Sequence, residues 1–384
     1  MKAVRLVVLG STGSIGRQTL DVVRSLPGRF NVIALAAGSN ITLLEEQVRE
    51  FRPRFVCAGR EADYFMARGS NDGIAIRWAE MEEMAGHPDA DLVVVATVGS
   101  AGLGPTLAAI RAGKSVALAN KEVLVMAGHI ITAEAQRSGA GLRPIDSEHS
   151  AIWQCLWGEN HDSIQRITVT ASGGPFRDTP LHELSRVTAE EALRHPNWQM
   201  GQKITVDSAT LLNKGLECIE ARWLFDVPLE RIDVLLHRES VVHSLVEFRD
   251  GSVKAQLGMP DMRLPIQCAL TYPDRLPGGS VPRLDLKLIG TLSFGPPNTK
   301  QYPCLGLALE AGRRGGSCPA VLAAADELAV QHFLAGHIRF TDIARIISDA
   351  LNAHRQLANP SLDEVLHADA WARSYTEDWV KTKA

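Results

Sequence analysis

The chain has 384 residues, of which 45% are hydrophobic and 22% are charged, and its formal net charge is −4. This length predicts two or three domains, and the composition is that of a globular protein without the dense basic run expected for nucleic-acid binding. We expect a cytoplasmic protein with free thiols, because the six cysteines are scattered, no leader peptide is recognisable and no apolar run could span a bilayer.

Residues 1–146 alternate β-branched runs with helical patterns, which predicts an α/β domain with a Rossmann-like, doubly wound parallel sheet. The predicted strands lie at residues 4–9, 31–37, 54–58, 91–97, 115–119 and 142–145. Helical patterns between them include residues 16–26, 42–51 and 104–112. Because ligands of such folds bind at the carboxyl edge of the sheet, the turns that follow these strands are candidate binding segments.

Residues 147–271 mix helices with strands, which predicts an α+β catalytic domain. The predicted strands are 166–170, 234–237, 245–248 and 253–256. The last three are expected to be antiparallel, and the polar residues 249–252 are expected to form the turn between two of them.

Residues 272–302 are rich in proline and glycine and predict a long linker along the surface. Residues 303–384 then predict a C-terminal helical domain, a small bundle. Its four helical patterns lie at residues 305–312, 319–334, 342–357 and 362–381. Ser361 and Glu364 have the spacing of a capping box for the last helix.

The turn after the first predicted strand, residues 10–16, reads GSTGSIG and opens the first helix. Glycines in this strand-turn-helix context let the backbone approach a pyrophosphate, which the helix N-terminus also favours. The second strand ends at Gly38-Ser39-Asn40, without the acidic residue that often binds the ribose of NAD, so NADP is favoured. Lys121 follows another strand and is either a cofactor or substrate contact or a solvated surface lysine.

Three carboxylates form a candidate metal site. Asp146 and Glu148 lie two residues apart and would point the same way on an extended segment. A helix predicted to begin at Asp207 carries Glu217. Such an all-oxygen set suits Mg²⁺ or Mn²⁺, with Co²⁺ as a further option, and no histidine or cysteine is grouped with it to favour zinc. Surface salt bridges are the alternative for each acid.

Several donors could bind a phosphorylated substrate. Asn213 and Lys214 share one helical face with Glu217, and Ser208 precedes them. Ser172 stands beside two glycines in a segment that is either an anion-binding loop or an ordinary turn. The segment 195–201 places Trp198 and Met200 between Pro196 and Gly201, which favours a flap over the substrate, although Trp198 could equally be a core anchor. His195 and His243 are further possible donors.

Taken together, these motifs closely resemble the 1-deoxy-D-xylulose-5-phosphate reductoisomerase family over essentially the whole chain. The segments that carry the resemblance are residues 10–16, 120–122 (NKE), 146–150 (DSEHS), 172–176 (SGGPF), 195–201 (HPNWQMG), 207–217 (DSATLLNKGLE) and 258–263 (GMPDMR). The resemblance implies an NADPH-dependent, metal-assisted enzyme of non-mevalonate isoprenoid synthesis, and a homodimer. It also agrees with a division into residues 1–146, 147–271, 272–302 and 303–384.

The resemblance assigns roles to individual residues. It implies that Asp146, Glu148 and Glu217 hold the metal and that Lys121, Glu148 and His195 act in catalysis. The implied substrate contacts are Lys121, Ser147, Glu148, Ser172, His195, Trp198, Ser208, Asn213, Lys214 and Glu217. The implied cofactor contacts are Thr12, Gly13, Ser14, Ile15, Gly38, Ser39, Asn40, Asn120, Glu122 and Gly201. Two positions depart from the family pattern. Ser39 stands where the family often has a basic residue, and Met259 stands where an acidic residue is common.

Two other classes of protein fit parts of this pattern. A semialdehyde or sugar-phosphate dehydrogenase shares the plan, but a semialdehyde enzyme needs a reactive cysteine, and none lies among catalytic-looking neighbours. A nucleotide-sensing module would not need three carboxylates beside a phosphate-binding set. The expected reaction is therefore the rearrangement and reduction of 1-deoxy-D-xylulose 5-phosphate to 2-C-methyl-D-erythritol 4-phosphate.

Overall fold

The computed structural model describes residues 2–59, 76–198, 200–277 and 281–383. It divides into two compact units. The first unit comprises Met1–Val123, Ile131–Ser150 and Asp261–Pro282, and the second comprises Leu124–Ile130, Ala151–Pro260 and Arg283–Ala384. The predicted division into four consecutive segments partitions the chain differently and stays a prediction.

The first unit is built on a parallel sheet, which confirms the predicted Rossmann-like class. Among the described residues its strands are β1 Val4–Leu9, β2 Phe30–Ala37, β3 Phe55–Ala58, β4 Arg77–Trp78, β5 Leu92–Val95, β6 Ser115–Leu118 and β7 Leu142–Pro144. Their order is β4-β3-β2-β1-β5-β6-β7, and every neighbouring pair is parallel. The order reverses beside β1, which is where doubly wound folds bind their ligands.

The helices that accompany this sheet cover its apolar strands. They are Ser14–Ser25, Ile41–Phe51, Met81–Gly86, Leu103–Arg111 and Arg263–Thr271, with a 3₁₀ turn at Gly99–Gly102. Two further helices, Glu122–Ser138 and Ser147–Cys155, have residues in both units. Val8 and Leu35 from the sheet are fully buried with Leu20 of the first helix and Ile266 of the last. The short strand β4 and the helix after it were not predicted, because two and six residues carry too little periodic pattern.

The second unit contains a mixed sheet of β8 Ile164–Ala171, β9 Ile232–Leu236, β10 Val242–Phe248 and β11 Val253–Leu257 in the order β11-β10-β8-β9. The hairpin of β10 and β11 is antiparallel as predicted, and Gly251 in its turn has a φ of 85°. β9 runs opposite to β10, as predicted, but the two strands are not neighbours, because β9 pairs in parallel with β8 on the side away from β10. Apolar residues on β8 need a partner strand on that side as well. A hairpin pattern in the sequence identifies only strands that follow one another along the chain, so it does not predict this pairing.

The four predicted C-terminal helices are confirmed, with boundary shifts of a few residues. The second unit's helices are Ala189–Ala192, Gln202–Thr210, Leu212–Phe225, Leu286–Ile289, Pro303–Arg314, Cys318–Leu334, Phe340–Ala353 and Leu362–Lys383, with 3₁₀ turns at His161–Ser163, Leu181–Arg186 and Leu229–Arg231. The capping box is present, since the Ser361 amide donates to Glu364 Oε2 at 2.8 Å. Within the described ranges, no helix is long and apolar enough to cross a bilayer.

Part of the predicted linker is attached to the sheet of the second unit. Gly295 and Leu236 exchange two backbone hydrogen bonds, of 2.8 Å and 3.0 Å, and so form an antiparallel bridge. The predicted linker includes the run Pro277-Gly278-Gly279, of which residues 278 and 279 lie, with residue 280, outside the described residues.

Candidate active site

The glycine-rich turn of the first unit has the shape that a dinucleotide requires. Gly10 has a φ of 85°, and a Cβ at this position would lie 2.3 Å from the carbonyl oxygen of Ala96. A Cβ at Gly16 would lie 2.2 Å from the carbonyl oxygen of Gly10. Gly10 therefore allows the turn to lie against the end of β5, and Gly16 allows the first helix to start against the turn. Its N-cap is Gly13, which has no side chain to cap the helix, so the first-turn amides are suited to a phosphate.

The second candidate cofactor segment follows β2. Gly38, Ser39 and Asn40 are exposed, and the described turn carries no acid that would repel a 2′-phosphate. Asn40 also has a local role, because its side-chain oxygen accepts a 3.2 Å hydrogen bond from the Leu43 amide at the start of the next helix. Exposed donors beside a capped helix are compatible with the predicted cofactor contact.

Asn120 connects two loops at the carboxyl edge of the sheet. Its buried amide donates to the carbonyl oxygens of Thr97 and Gly99 at 3.0 Å and 2.9 Å. Its side-chain oxygen accepts from the amide of Val123 at 3.2 Å, at the start of the helix that includes Glu122. The Asn120 side chain thus orders these loops, and any cofactor contact it makes is additional to this role.

Lys121 is not the solvated surface lysine that the sequence left possible. It is 7% exposed, and its Nζ lies 3.1 Å from Asp146 Oδ2. His149 Nδ1 lies 3.7 Å from the same carboxylate oxygen. A buried ammonium beside a buried carboxylate is expensive unless each compensates the other, so this pair marks a functional region better than an exposed ion pair would.

The extended conformation predicted for residues 146–148 was wrong. Ser147 begins the helix Ser147–Cys155, and the Ser150 amide donates to the Asp146 carbonyl oxygen at 2.8 Å. Glu148 lies in the first helical turn, where the Ser147 hydroxyl donates to it. Asp, Ser and Glu favour a helix start because they satisfy its free amides and its dipole, and this preference outweighed the strand that precedes them.

In the second unit, Asn213, Lys214 and Glu217 share a helix face, as predicted. Lys214 Nζ lies 2.7 Å from Glu217 Oε2, and the Asn213 amide donates to Glu217 Oε1. Glu217 is 1% exposed. Its charge is therefore compensated within the protein, and the group forms a compact buried polar set with an acid, an amide and an ammonium.

The single helix predicted from Asp207 to Glu217 was also wrong. The segment forms two helices, Gln202–Thr210 and Leu212–Phe225, separated by Leu211 with a φ of 57°. The Thr210 hydroxyl donates to the Asp207 carbonyl oxygen and accepts from the Leu212 amide, at 3.1 Å and 3.2 Å. These local bonds replace helical ones and end the first helix. Asp207 is consequently a buried interior residue and not a cap.

Three side chains converge near the glycine loop of β8. His195 Nε2 lies 3.0 Å from Ser172 Oγ and 3.1 Å from Ser208 Oγ. Gly173 and Gly174 have φ values of 85° and 68°, and the Gly174 amide donates to Ser172 Oγ at 3.2 Å. The segment is thus a buried glycine turn that brings Ser172 beside His195 and Ser208, a grouping of donors that the anion-binding interpretation requires.

The charge around His195 suits an anion. Burial lowers the pKa of His195 to about 4, and the positive charges of Lys214 and Arg177 add to this effect. The amides of Asn197 and Trp198 donate to His195 Nδ1 at 3.1 Å and 2.9 Å, so the neutral ring carries its proton on Nε2. Sequence reasoning missed Arg177, although a cation directly after the glycine loop was the available signal.

The predicted flap is anchored at one end. Asn197 donates to Ser240 Oγ at 2.8 Å, and Trp198 is half-buried with its ring 6.1 Å from that of His243. His243 is buried in β10, and Gln199 lies outside the described residues. Trp198 is therefore neither a fully buried core residue nor fully exposed.

The cysteines do not support a thiol nucleophile. Burial raises the pKa of Cys57, Cys155 and Cys268 to about 11. Burial also raises the pKa values of the remaining three, Cys218, Cys304 and Cys318. An activated thiolate needs a lowered pKa, so the semialdehyde dehydrogenase alternative lacks its nucleophile.

A doubly wound sheet with a phosphate-binding glycine turn, together with buried carboxylate and anion-binding groups, defines the class of dinucleotide-dependent oxidoreductases. Family profiles narrow this class. The profile of 1-deoxy-D-xylulose 5-phosphate reductoisomerase matches residues 6–128, and the profile of its C-terminal domain matches residues 142–225. A third profile, the DXP reductoisomerase C-terminal domain, matches residues 257–375. The chain belongs to the 1-deoxy-D-xylulose 5-phosphate reductoisomerase family.

Individual relatives cover nearly the whole chain. The reductoisomerase of Pelotomaculum thermopropionicum is 53% identical over 374 residues, 96% of each chain. That of a Geobacillus species is 54% identical over 371 residues, 96% of this chain and 97% of the relative. A crystal structure of DOX-P reductoisomerase with NADPH, fosmidomycin and magnesium has a TM-score of 0.94 at 41% identity and covers 98% of both chains. The Zymomonas mobilis enzyme with NADPH has a TM-score of 0.91 at 41% identity, covering 98% of this chain and 99% of the other.

Proposed function

We propose that Asp146, Glu148 and Glu217 bind the divalent ion with which this enzyme converts 1-deoxy-D-xylulose 5-phosphate to 2-C-methyl-D-erythritol 4-phosphate. NADPH is the reductant, and the reaction belongs to non-mevalonate isoprenoid synthesis. The observation that carries the proposal is that two of these acids are compensated by nearly buried lysines, Asp146 by Lys121 and Glu217 by Lys214. Relatives solved with magnesium support that ion, and we propose Mn²⁺ and Co²⁺ as substitutes.

The donor set fits a hard ion. All three proposed ligands are carboxylates, and both glutamates are at least nine-tenths buried. A bound ion would supply Lewis-acid stabilisation of the negative charge that develops while a carbon–carbon bond breaks and re-forms. The ammonium groups of Lys121 and Lys214 offset the cost of burying these carboxylates and hold them in defined positions.

Lys121 and Ser147 are proposed to contact the reacting part of the substrate. Lys121 is held beside Asp146, and the Ser147 hydroxyl is held at Glu148, so both groups have defined positions beside proposed metal ligands. Glu148 would also contact the substrate. Held donors stabilise developing negative charge without reorganising during the reaction.

The substrate phosphate is proposed to bind Ser172, Ser208, Asn213 and Lys214 with His195. The neutral His195 ring has an Nε2 proton to donate, while two backbone amides hold Nδ1. Lys214 supplies the positive charge, and Arg177 adds to the local potential. Anchoring the phosphate would orient the reacting carbons at a distance from it. Trp198 is proposed to cover the bound substrate and exclude water.

NADPH is proposed to bind at the glycine turn of the first unit. The N-terminus of the first helix suits the pyrophosphate, and the residues around it are Thr12, Gly13, Ser14 and Ile15. Gly10 and Gly16 allow the close backbone packing that forms this turn. The remaining proposed cofactor contacts are Gly38, Ser39, Asn40, Asn120, Glu122 and Gly201.

The reaction is tested by following NADPH consumption with 1-deoxy-D-xylulose 5-phosphate, with and without Mg²⁺. Activity should need both the substrate and the ion, and chelation should abolish it reversibly. Undiminished activity after exhaustive chelation would remove the metal from the proposal. Equal catalytic efficiency with NADH would contradict the cofactor assignment.

We further propose that the enzyme is a cytoplasmic homodimer. Three apolar side chains of the second unit, Leu286, Leu288 and Phe294, are 56%, 84% and 48% exposed, and clustered exposed apolar groups in one segment are typical of an interface. Light scattering after gel filtration should give the dimer mass, and Leu288→Asp should shift it toward the monomer. A monomeric wild-type chain would contradict the proposal.

A further inference from the structure

A cluster of two buried acids and a partly exposed lysine lies in the second unit, apart from the proposed catalytic groups. Lys203 Nζ lies 2.7 Å from Asp207 Oδ2 and 2.8 Å from Asp326 Oδ2. The side chains of Asp207 and Asp326 are 2% and 0% exposed. Asp207 and Lys203 belong to the helix Gln202–Thr210, and Asp326 belongs to Cys318–Leu334 in the C-terminal helices. The cluster therefore connects two segments far apart in sequence.

The charges of the cluster cannot balance if both acids are ionised. Two carboxylates beside one ammonium would leave a net negative charge in a buried place, which is costly. Burial, followed by the negative charge of Asp207, raises the pKa of Asp326 well above its usual range. One proton shared between the two carboxylates would balance the single ammonium, and the raised pKa of Asp326 favours Asp326 as its holder.

The helix that this cluster holds carries part of the proposed phosphate site. Ser208 directly follows Asp207, and its hydroxyl contacts His195 at 3.1 Å. The same helix packs closely on the glycine loop, since a Cβ at Gly174 would lie 2.6 Å from the Ser208 carbonyl oxygen. A small displacement of the helix would therefore change the spacing of Ser172, Ser208 and His195 at once.

The pair of Lys203 and Asp207 does not by itself fix the position of the helix, so the contact with Asp326 is needed. Lys203 precedes Asp207 by one helical turn, and this order is opposed by the helix dipole, so the pair by itself adds little to helix stability. Asp326 gives Lys203 a second partner on another helix and thereby anchors the N-terminal half of Gln202–Thr210.

We propose that Asp326 is a positioning residue that, through Lys203 and Asp207, sets the helix Gln202–Thr210 for binding of the substrate phosphate. This inference rests on the proposed function, because it assigns Ser208 to that phosphate. Asp326 itself does not touch the substrate. Its contribution is the placement of a donor that has to match a rigid tetrahedral anion.

The test compares Asp326→Ala and Asp326→Asn with a matched control on the same helix, Glu327→Gln. Glu327 pairs with Arg373 at 2.6 Å and is not part of the cluster. Asp326→Ala should raise KM for 1-deoxy-D-xylulose 5-phosphate about tenfold or more, since small misplacements of binding groups have effects of this size. KM for NADPH and the melting temperature relative to the control should change little. Asp326→Asn keeps the size and an oxygen acceptor of the side chain for Lys203 and should restore wild-type KM.

Binding of inorganic phosphate, measured by calorimetry, gives a readout that does not need activity. Its affinity should fall in Asp326→Ala in parallel with the rise of KM, and it should be unchanged in Glu327→Gln. Lys203→Met, at a partly exposed position, should reproduce the effect and serves if Asp326→Ala does not fold. Wild-type phosphate affinity in a folded Asp326→Ala or Lys203→Met would overturn the inference, and so would an equal loss in the control. An inactive wild-type enzyme that still binds phosphate would instead overturn the proposed function.

Discussion

The two units build their binding groups in different ways. In the first unit the proposed cofactor segment depends on backbone geometry, because Gly10 and Gly16 leave no room for a Cβ and no side chain caps the N-terminus of the first helix. In the second unit the polar set depends on buried side chains, such as Glu217 with Lys214 and Asn213. A site built from backbone groups is sensitive to added side-chain volume at its glycines. A site built from buried side chains is sensitive to a single change of charge. Substitutions in the two units should therefore differ in which binding step they impair.

The largest effect is expected for Glu217→Gln, which keeps the size of the side chain but removes its charge. Turnover should fall by about 10² or more, as for loss of a major electrostatic group, and the Mg²⁺ concentration for half-maximal activity should rise. Steady-state kinetics over a Mg²⁺ titration measure both. NADPH affinity should be unchanged, and full activity at low Mg²⁺ would show that Glu217 is not a ligand.

Lys214→Ala removes a charged donor from the side-chain site. Loss of such a contact costs about 1.5–3 kcal/mol, so catalytic efficiency should fall by about one to two powers of ten. Steady-state kinetics with a substrate that lacks the phosphate give the control, because the loss of catalytic efficiency should be much smaller for that substrate. If both substrates lose equally, Lys214 acts chiefly through Glu217.

Gly16→Ala tests the backbone site. The added Cβ would lie 2.2 Å from the Gly10 carbonyl oxygen, so the turn must shift. Such overpacking costs about 1–3 kcal/mol, and KM for NADPH should rise while inorganic phosphate binding is retained. Gly306→Ala is the control, because a Cβ there meets no atom within 4 Å and alanine favours the helix. Normal NADPH kinetics in Gly16→Ala would mean that this turn does not shape the cofactor site.

Trp198→Ala distinguishes a flap from a core residue. Trp198 is half-buried, so its removal should impair substrate affinity and turnover by several-fold to about tenfold, with the melting temperature near wild type. Kinetics and thermal unfolding of the same preparation measure the two properties. A large fall in melting temperature with proportionate loss of activity would identify a core role.

The smallest effect concerns pH and His195. Burial lowers the pKa of His195 to about 4, below its usual 6.5, so the unfolded chain binds more protons between these values. The His195 contribution to stability is therefore present above pH 6.5 and is lost as the pH falls toward 4. His195→Asn should lessen the fall in melting temperature over this range. An identical pH profile in the variant would show that His195 does not carry this dependence.

Local sequence patterns predicted much of the fold. Apolar β-branched runs separated by helical periodicity identified the parallel sheet, and the Ser361 and Glu364 spacing identified the start of the last helix. The shared face of Lys214 and Glu217 was also predictable, since it depends only on helical geometry. Predictions failed where two local preferences competed, as at Ser147, where helix-start residues directly follow a strand.

The sequence by itself determined the glycine turn, the alternation of strands and helices and the acidic and basic residue types of the candidate site, because each depends on residues a few positions apart. Only the tertiary structure decided that β9 pairs with β8 and that Asp326 lies beside Lys203. It also decided that Lys121 is buried against Asp146. These features depend on contacts between residues distant in sequence, and the burial that changes the energies of charged groups exists only once the chain is packed.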